Sequence, residues 1–174
     1  EMCIRDSTHT AMGARYLRKC VEQPLIHKDA INDRLEATSE LKDNVFLREE
    51  LKDYLNAIYD IERLVGKISY GTCNAKDLIA LKQSLGVLPD IYTSLENASS
   101  PLLKGLYEKF DLLSDLFERI DVAIIEEPPI SLREGGLIKT GYNSDIDELR
   151  QIKTHGTNWL CEVEAKEKEK TGIK

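Results

Sequence analysis

The chain has 174 residues, of which 41% are hydrophobic and 32% charged, with 10 glycines and 5 prolines. That balance specifies a globular domain with its own core and excludes a disordered polymer. The net charge of -7 and the aromatic share of 6% exclude an autonomous nucleic-acid binder built on a basic face or on base-stacking platforms.

The elements are predicted in chain order from hydrophobic spacing. Both ends look cut, so a fragment is expected, and residues 1–7 are expected to be non-native or unstructured. A first helix is predicted over 11–22, with Met12, Tyr16, Leu17 and Cys20 near one face, stopped by Gln23-Pro24. Further helices are predicted over 28–42, over 46–55 and through Ile58, Ile61, Leu64, Val65 and Ile68 to near Gly71. Asn74 is predicted to cap the next helix, with Asp77 in its first turn. Leu78, Leu81, Leu85, Leu88, Tyr92 and Leu95 step by three and four, an a/d stripe that Pro89 should kink or divide in two.

Ser100-Pro101 reads as an N-cap followed by proline at the first helical position, opening a helix over 101–109. A helix over 112–125 follows, stopped by Pro128-Pro129. The period then changes, and Ile130 to Ile138 around Gly135-Gly136 suggest a short β-hairpin near 130–140. Ser144 is predicted to cap a last helix over 145–170, about 26 residues and roughly 39 Å long. Ile146, Leu149, Ile152, Leu160 and Val163 line one side of it, Gly156 weakens its middle, and its charged end can stand in water. The expected fold class is mainly α. It comprises a helical core domain over 8–142 with one short hairpin, then a long C-terminal helix over 143–174.

Residues for chemistry are not assembled by spacing. Cys3, Cys20, Cys73 and Cys161 form no CxxC pair, and His9, His27 and His155 are scattered, so free thiols in a reducing cytoplasm and no metal site are expected. Gly135-Gly136 lacks the lysine and the spacing of a phosphate loop, and Glu126-Glu127 reads as a solvated helix end. No apolar run reaches the roughly 20 residues of a membrane span. Catalytic, cofactor-binding and metal-ligating residues are all expected to be absent. Arg15, Asp60, Arg63, Asp77, Gly135 and Gly136 are read as structural, with Arg63 pairing Asp60 or a carboxylate on a neighbouring helix. Lys166, Lys168 and Lys170 are candidate phosphate contacts, set against acidic neighbours that roughly cancel their charge.

Six runs in one order carry a resemblance. They are Thr10-Ala11-Met12-Gly13-Ala14-Arg15-Tyr16-Leu17-Arg18 with Glu22-Gln23-Pro24-Leu25, Tyr59-Asp60-Ile61-Glu62-Arg63-Leu64, Asn74-Ala75-Lys76-Asp77-Leu78, Pro128-Pro129, Arg133-Glu134-Gly135-Gly136 with Gly141-Tyr142, and Glu167-Lys168-Glu169-Lys170-Thr171-Gly172. Together they resemble the core domain of bacterial MutS mismatch-repair proteins over about residues 8–174. Lys76 stands where the family usually has arginine, keeping the charge without the bidentate fork.

The resemblance implies a helical body with a lever helix leading to a clamp domain beyond Lys174. The parent protein it implies is a DNA-dependent ATPase of the bacterial cytoplasm. That parent binds mismatched double-stranded DNA and ATP with Mg, forms a MutS homodimer and recruits MutL. It implies no enzyme activity or cofactor for this segment, whose role would be to couple ATP state to DNA clamping. The alternative, read from the residues alone, is a free-standing helical interaction module that docks a partner along the Leu78–Leu95 stripe.

Overall fold

The computed structural model describes residues 7–172. The expectation for residues 1–6, and the Cys3 thiol with it, lies outside the described residues. The described chain divides into two compact units, one ending at Leu137 and the other starting at Ile138. The first comprises α1 (Ala11–Glu22), α2 (Lys28–Asp43), α3 (Val45–Asn56), α4 (Ile61–Ser69), α5 (Ala75–Gly86), α6 (Leu88–Leu95), α7 (Pro101–Glu108), α8 (Ser114–Ala123) and a 3-10 turn at Leu132–Glu134. The second contains α9 (Ser144–Thr171).

Side-chain caps set many of the boundaries. Thr10 accepts the Gly13 N–H at the start of α1, and Asn44 closes α2 while accepting the Leu47 N–H that opens α3. These contacts satisfy amides that a helix start leaves without partners. Asn74 and Asp77 form a reciprocal capping box, each side chain accepting the other's backbone N–H, at 2.8 and 3.1 Å.

The leucine stripe divides at Val87, with Pro89 in the first turn of α6. The two halves enter different packings. α5 lies against α4 and α8, while α6 lies against α3 and α7. Leu81 and Leu85 are buried on α5, and Leu95 and Ile91 on α6. Around Ile91 and Leu95 gather Ala37, Ala98 and Leu103, flanked by Leu41, Leu51, Tyr54, Tyr107 and Phe110. Burying each such leucine stabilises by about 1.5–3 kcal/mol. The stripe is therefore consumed by the protein's own core, which corrects the reading of Leu78–Leu95 as a surface for a partner helix.

Ser84 is the most enclosed side chain, with no solvent exposure. It sits between Leu81 and Leu85 and ties α5 to the loop before α4. Its hydroxyl donates to the Ala80 carbonyl at 2.9 Å and accepts the Tyr59 N–H at 3.0 Å. Replacing Ser84 with alanine leaves that N–H without its acceptor, an expected loss of about 1–2 kcal/mol in urea unfolding. A change within measurement error would mean that water substitutes for the hydroxyl.

Sequence expectations at the hairpin, at α8 and at α9 are corrected. No β-strand forms among the described residues, so the hairpin near 130–140 is absent. Leu132–Glu134 coils instead, with Ser131 accepting the Arg133 N–H at 3.2 Å. Gly135 has φ 74° and ψ -169°. That conformation, open only to glycine, extends the chain where a tight hairpin turn would reverse it. Ile130 and Leu132 stay exposed rather than alternating into a core, and the Ile125 N–H donates to the Leu137 carbonyl at 3.0 Å. α8 also begins later and ends earlier than expected, Leu113 adopting a left-handed φ of 50° before it and Ile124 turning extended after it.

The last correction concerns α9. Its cap is Asn143 rather than Ser144, the Asn143 side chain accepting the Asp145 and Ile146 N–H groups at 2.9 and 3.1 Å. The helix runs 28 residues, passes through Gly156 unbroken, and ends on Gly172 in the left-handed region, whose N–H returns to the Lys168 carbonyl. Every residue from 151 to 172 is exposed.

Candidate functional site

The described side chains build a framework of ion pairs and caps in which Arg15, Asp60, Arg63 and Asp77 take part. Arg15, on the exposed face of α1, reaches across to the start of α4. Its guanidinium donates to both Asp60 oxygens, at 2.7 and 2.8 Å, and to Glu62 as well. The fork matches the carboxylate plane, a geometry that gives short charge-assisted bonds. Asp60 also caps α4 by accepting the Arg63 N–H at 3.2 Å. Arg15 therefore holds the Asp60 carboxyl below its ordinary range, burial opposing it. Asp60 in turn raises the Arg15 guanidinium.

The expected interaction of Arg63 with Asp60 or with a carboxylate on a neighbouring helix takes a coulombic form, its charge lowering the carboxyls of both Asp60 and Asp77 on α5. Arg63 contributes its backbone amide, and the side chain that meets the carboxylate is Arg15, 45 positions earlier. A residue three after an N-cap presents its N–H to the capping oxygen.

Asp77 is the second junction. Besides its part in the capping box it takes Lys67 Nζ from the end of α4 at 2.6 Å, and this contact lowers its carboxyl against the effect of burial. Lys76, next in sequence, is exposed. Nearby, burial pushes the Cys73 thiol up. Cys20, Cys73 and Cys161 are free thiols.

A third junction has no counterpart in the sequence reading. Ser100 makes no side-chain cap on α7. Glu40, from α2, supplies the acceptors instead, taking the Ser99 and Ser100 N–H groups at 2.6 and 2.7 Å. Desolvation would push the Glu40 carboxyl up, but the Ser100 side chain, the Ser99 and Ser100 amides and the Ser99 side chain together outweigh it and lower it to about 2. Lys82 adds an ion pair from α5 to Asp121 of α8 at 2.9 Å.

In the second unit, Asp147 accepts from the Gly141 N–H at 2.6 Å and pairs with Arg150 at 3.1 Å, and Arg150 also donates to the Ile138 carbonyl at 2.7 Å. The first turns of α9 are thereby tied to the segment that leads into it. Lys166, Lys168 and Lys170 lie exposed on its last turns, Lys168 paired with Glu164 at 2.6 Å and Lys170 with Glu167 at 3.1 Å. Gly135 and Gly136 form the extended kink after the 3-10 turn.

Among the described residues no group of three His, Cys, Asp or Glu side chains is placed to hold a metal ion. No described helix is long and apolar enough to cross a membrane.

Fold and framework together define a helical packing domain in which several polar side chains join neighbouring helices. The chain belongs to the MutS domain III family, which matches residues 4–171. It is 56% identical over 171 residues to the DNA mismatch repair protein MutS of Lachnoclostridium phytofermentans, covering 98% of this chain and 18% of that protein. The MutS proteins of Clostridium novyi and Halothermothrix orenii are 52% and 47% identical, each over 98% of this chain and 19% of their own length. The chain thus spans about a fifth of the length of these relatives.

Proposed function

We propose that the chain is the helical core segment of a MutS-type mismatch-repair protein, and that it couples the ATP state of the parent to its hold on DNA. The observation that carries this reading is α9. It is one continuous helix of 28 residues, about 42 Å at 1.5 Å per residue, fixed at its start by the Asn143 cap and the Asp147–Arg150 contacts. A rigid rod anchored at one end turns a small rotation there into a large displacement at the other. The relatives' name, DNA mismatch repair protein MutS, supplies the process in which such a lever would act.

On this reading, mismatched double-stranded DNA, ATP with Mg, a second copy of the parent and MutL are engaged by the full-length protein. The lever tip would stand near the DNA, with Lys166, Lys168 and Lys170 available to phosphate at the cost of exchanging their carboxylate partners.

The test is Val163→Pro in the full-length parent. Proline removes a helix hydrogen bond and clashes with the preceding turn, so it should break the rod near its far end. ATP-triggered release from mismatched DNA should be lost while nucleotide affinity stays within about twofold, since the change touches no nucleotide contact. Release at the unmodified rate would overturn the lever.

A further inference from the structure

We propose that α1 is a detachable strap, held by the Arg15–Asp60–Glu62 ionic latch and able to leave the helical body without unfolding it. Each helix from α2 to α8 carries at least one buried residue, and α1 carries none. Met12, Leu17 and Cys20 are only half-buried, and Tyr16 and Val21 are exposed.

The ties between the strap and the body are polar. Arg15 meets Asp60 and Glu62 at the start of α4. His9 meets Asn56 at 3.1 Å at the end of α3. From α2, Arg34 donates to the Tyr16 hydroxyl at 2.9 Å, lies 3.4 Å from the Cys20 sulfur, and places its guanidinium over the Tyr16 ring.

Two kinds of cohesion therefore coexist. The body is held by buried leucine and alanine, which salt does not weaken. The strap is held by charges that water already reaches, the Arg15 side chain being 48% exposed. Exposed ion pairs contribute little each and are screened once the Debye length falls to about 3 Å near 1 M salt. Segments with few buried apolar contacts open first, as local units. A free helix of 12 residues is marginal in water, so a released α1 also frays. Opening would free the Asp60 carboxylate and the Arg34 guanidinium of their α1 partners, and would leave the Asp60 cap on α4 intact.

Hydrogen exchange on the full chain tests this, comparing 0.05 and 1 M sodium chloride for the wild type, Arg15→Gln and Glu62→Gln. Peptides from α1 should exchange about fivefold faster in high salt and about tenfold faster in Arg15→Gln, with Glu62→Gln between. Peptides from α5 should not change. Exchange of α1 that stays at the α5 rate under every condition would overturn the strap. So would an α1 insensitive to both salt and the substitutions, or an Arg15→Gln variant whose α5 loses protection along with α1.

Discussion

Replacing Leu85 with alanine is expected to remove about 3 kcal/mol of stability. Leu85 is 3% exposed, the lowest value among the buried hydrophobic residues. It sits on α5, which packs against α4, α6 and α8 at once. Truncation removes the transfer energy of the lost carbons, and it leaves a void that three surrounding helices cannot close without shifting. The helices are also cross-tied, by Lys82–Asp121 on one side and Lys67–Asp77 on the other, so relaxation into the void is resisted. A domain is stable by only about 5–15 kcal/mol, so the urea midpoint should fall sharply while the denaturant slope stays constant. A loss below about 1 kcal/mol would mean that α5 is not the centre of the packing.

The second large effect is expected at Glu40. Its carboxylate replaces the missing side-chain cap of α7, holding the Ser99 and Ser100 amides. Hydrogen bonds to a charged group contribute about 1.5–3 kcal/mol, and Glu40→Ala should cost about 2 kcal/mol at neutral pH after allowance for partial exposure. The Glu40→Gln variant, which keeps an acceptor and loses the charge, should fall between.

The pH dependence has a definite sign. The folded pKa of Glu40 is about 2, below its ordinary 4.5. The unfolded chain thus binds the proton more readily, and stability is lost on acidification. The contribution is complete above about pH 4.5 and disappears as the pH falls through about 2. The stability gap between wild type and Glu40→Gln should therefore be flat from pH 7 to about 5 and close below it. A gap independent of pH would assign the effect to packing rather than to the carboxylate.

These two residues illustrate different degrees of legibility. Leu85 lies in a stripe that announces a buried face by spacing alone, because a helix repeats every 3.6 residues whatever it packs against. The same spacing gave no hint that the stripe would be divided between two packings and so be unavailable to a partner. Glu40 lies among polar residues on α2, and its role depends on two amides about 60 positions away. Ser84 offered a faint signal, a hydroxyl placed between two leucines of an apolar face. Arg15 could be marked as structural from its motif, while its pairing with Asp60, 45 positions away, is supplied by the fold.

The sequence by itself determined the helical class, the positions of most helices, the Asn74–Asp77 box, the division at Pro89 and membership of the MutS core family. All of these rest on interactions within a few residues, or on a whole pattern of residues retained in order. Tertiary structure alone decided which carboxylate meets which guanidinium, that Glu40 caps α7, that Gly135 extends the chain where a hairpin was expected, and that α1 docks without fully burying a side chain. Those outcomes depend on distances between segments remote in sequence. A chain fixes local geometry through its own dihedral preferences, but contacts across tens of residues are chosen only when the helices pack.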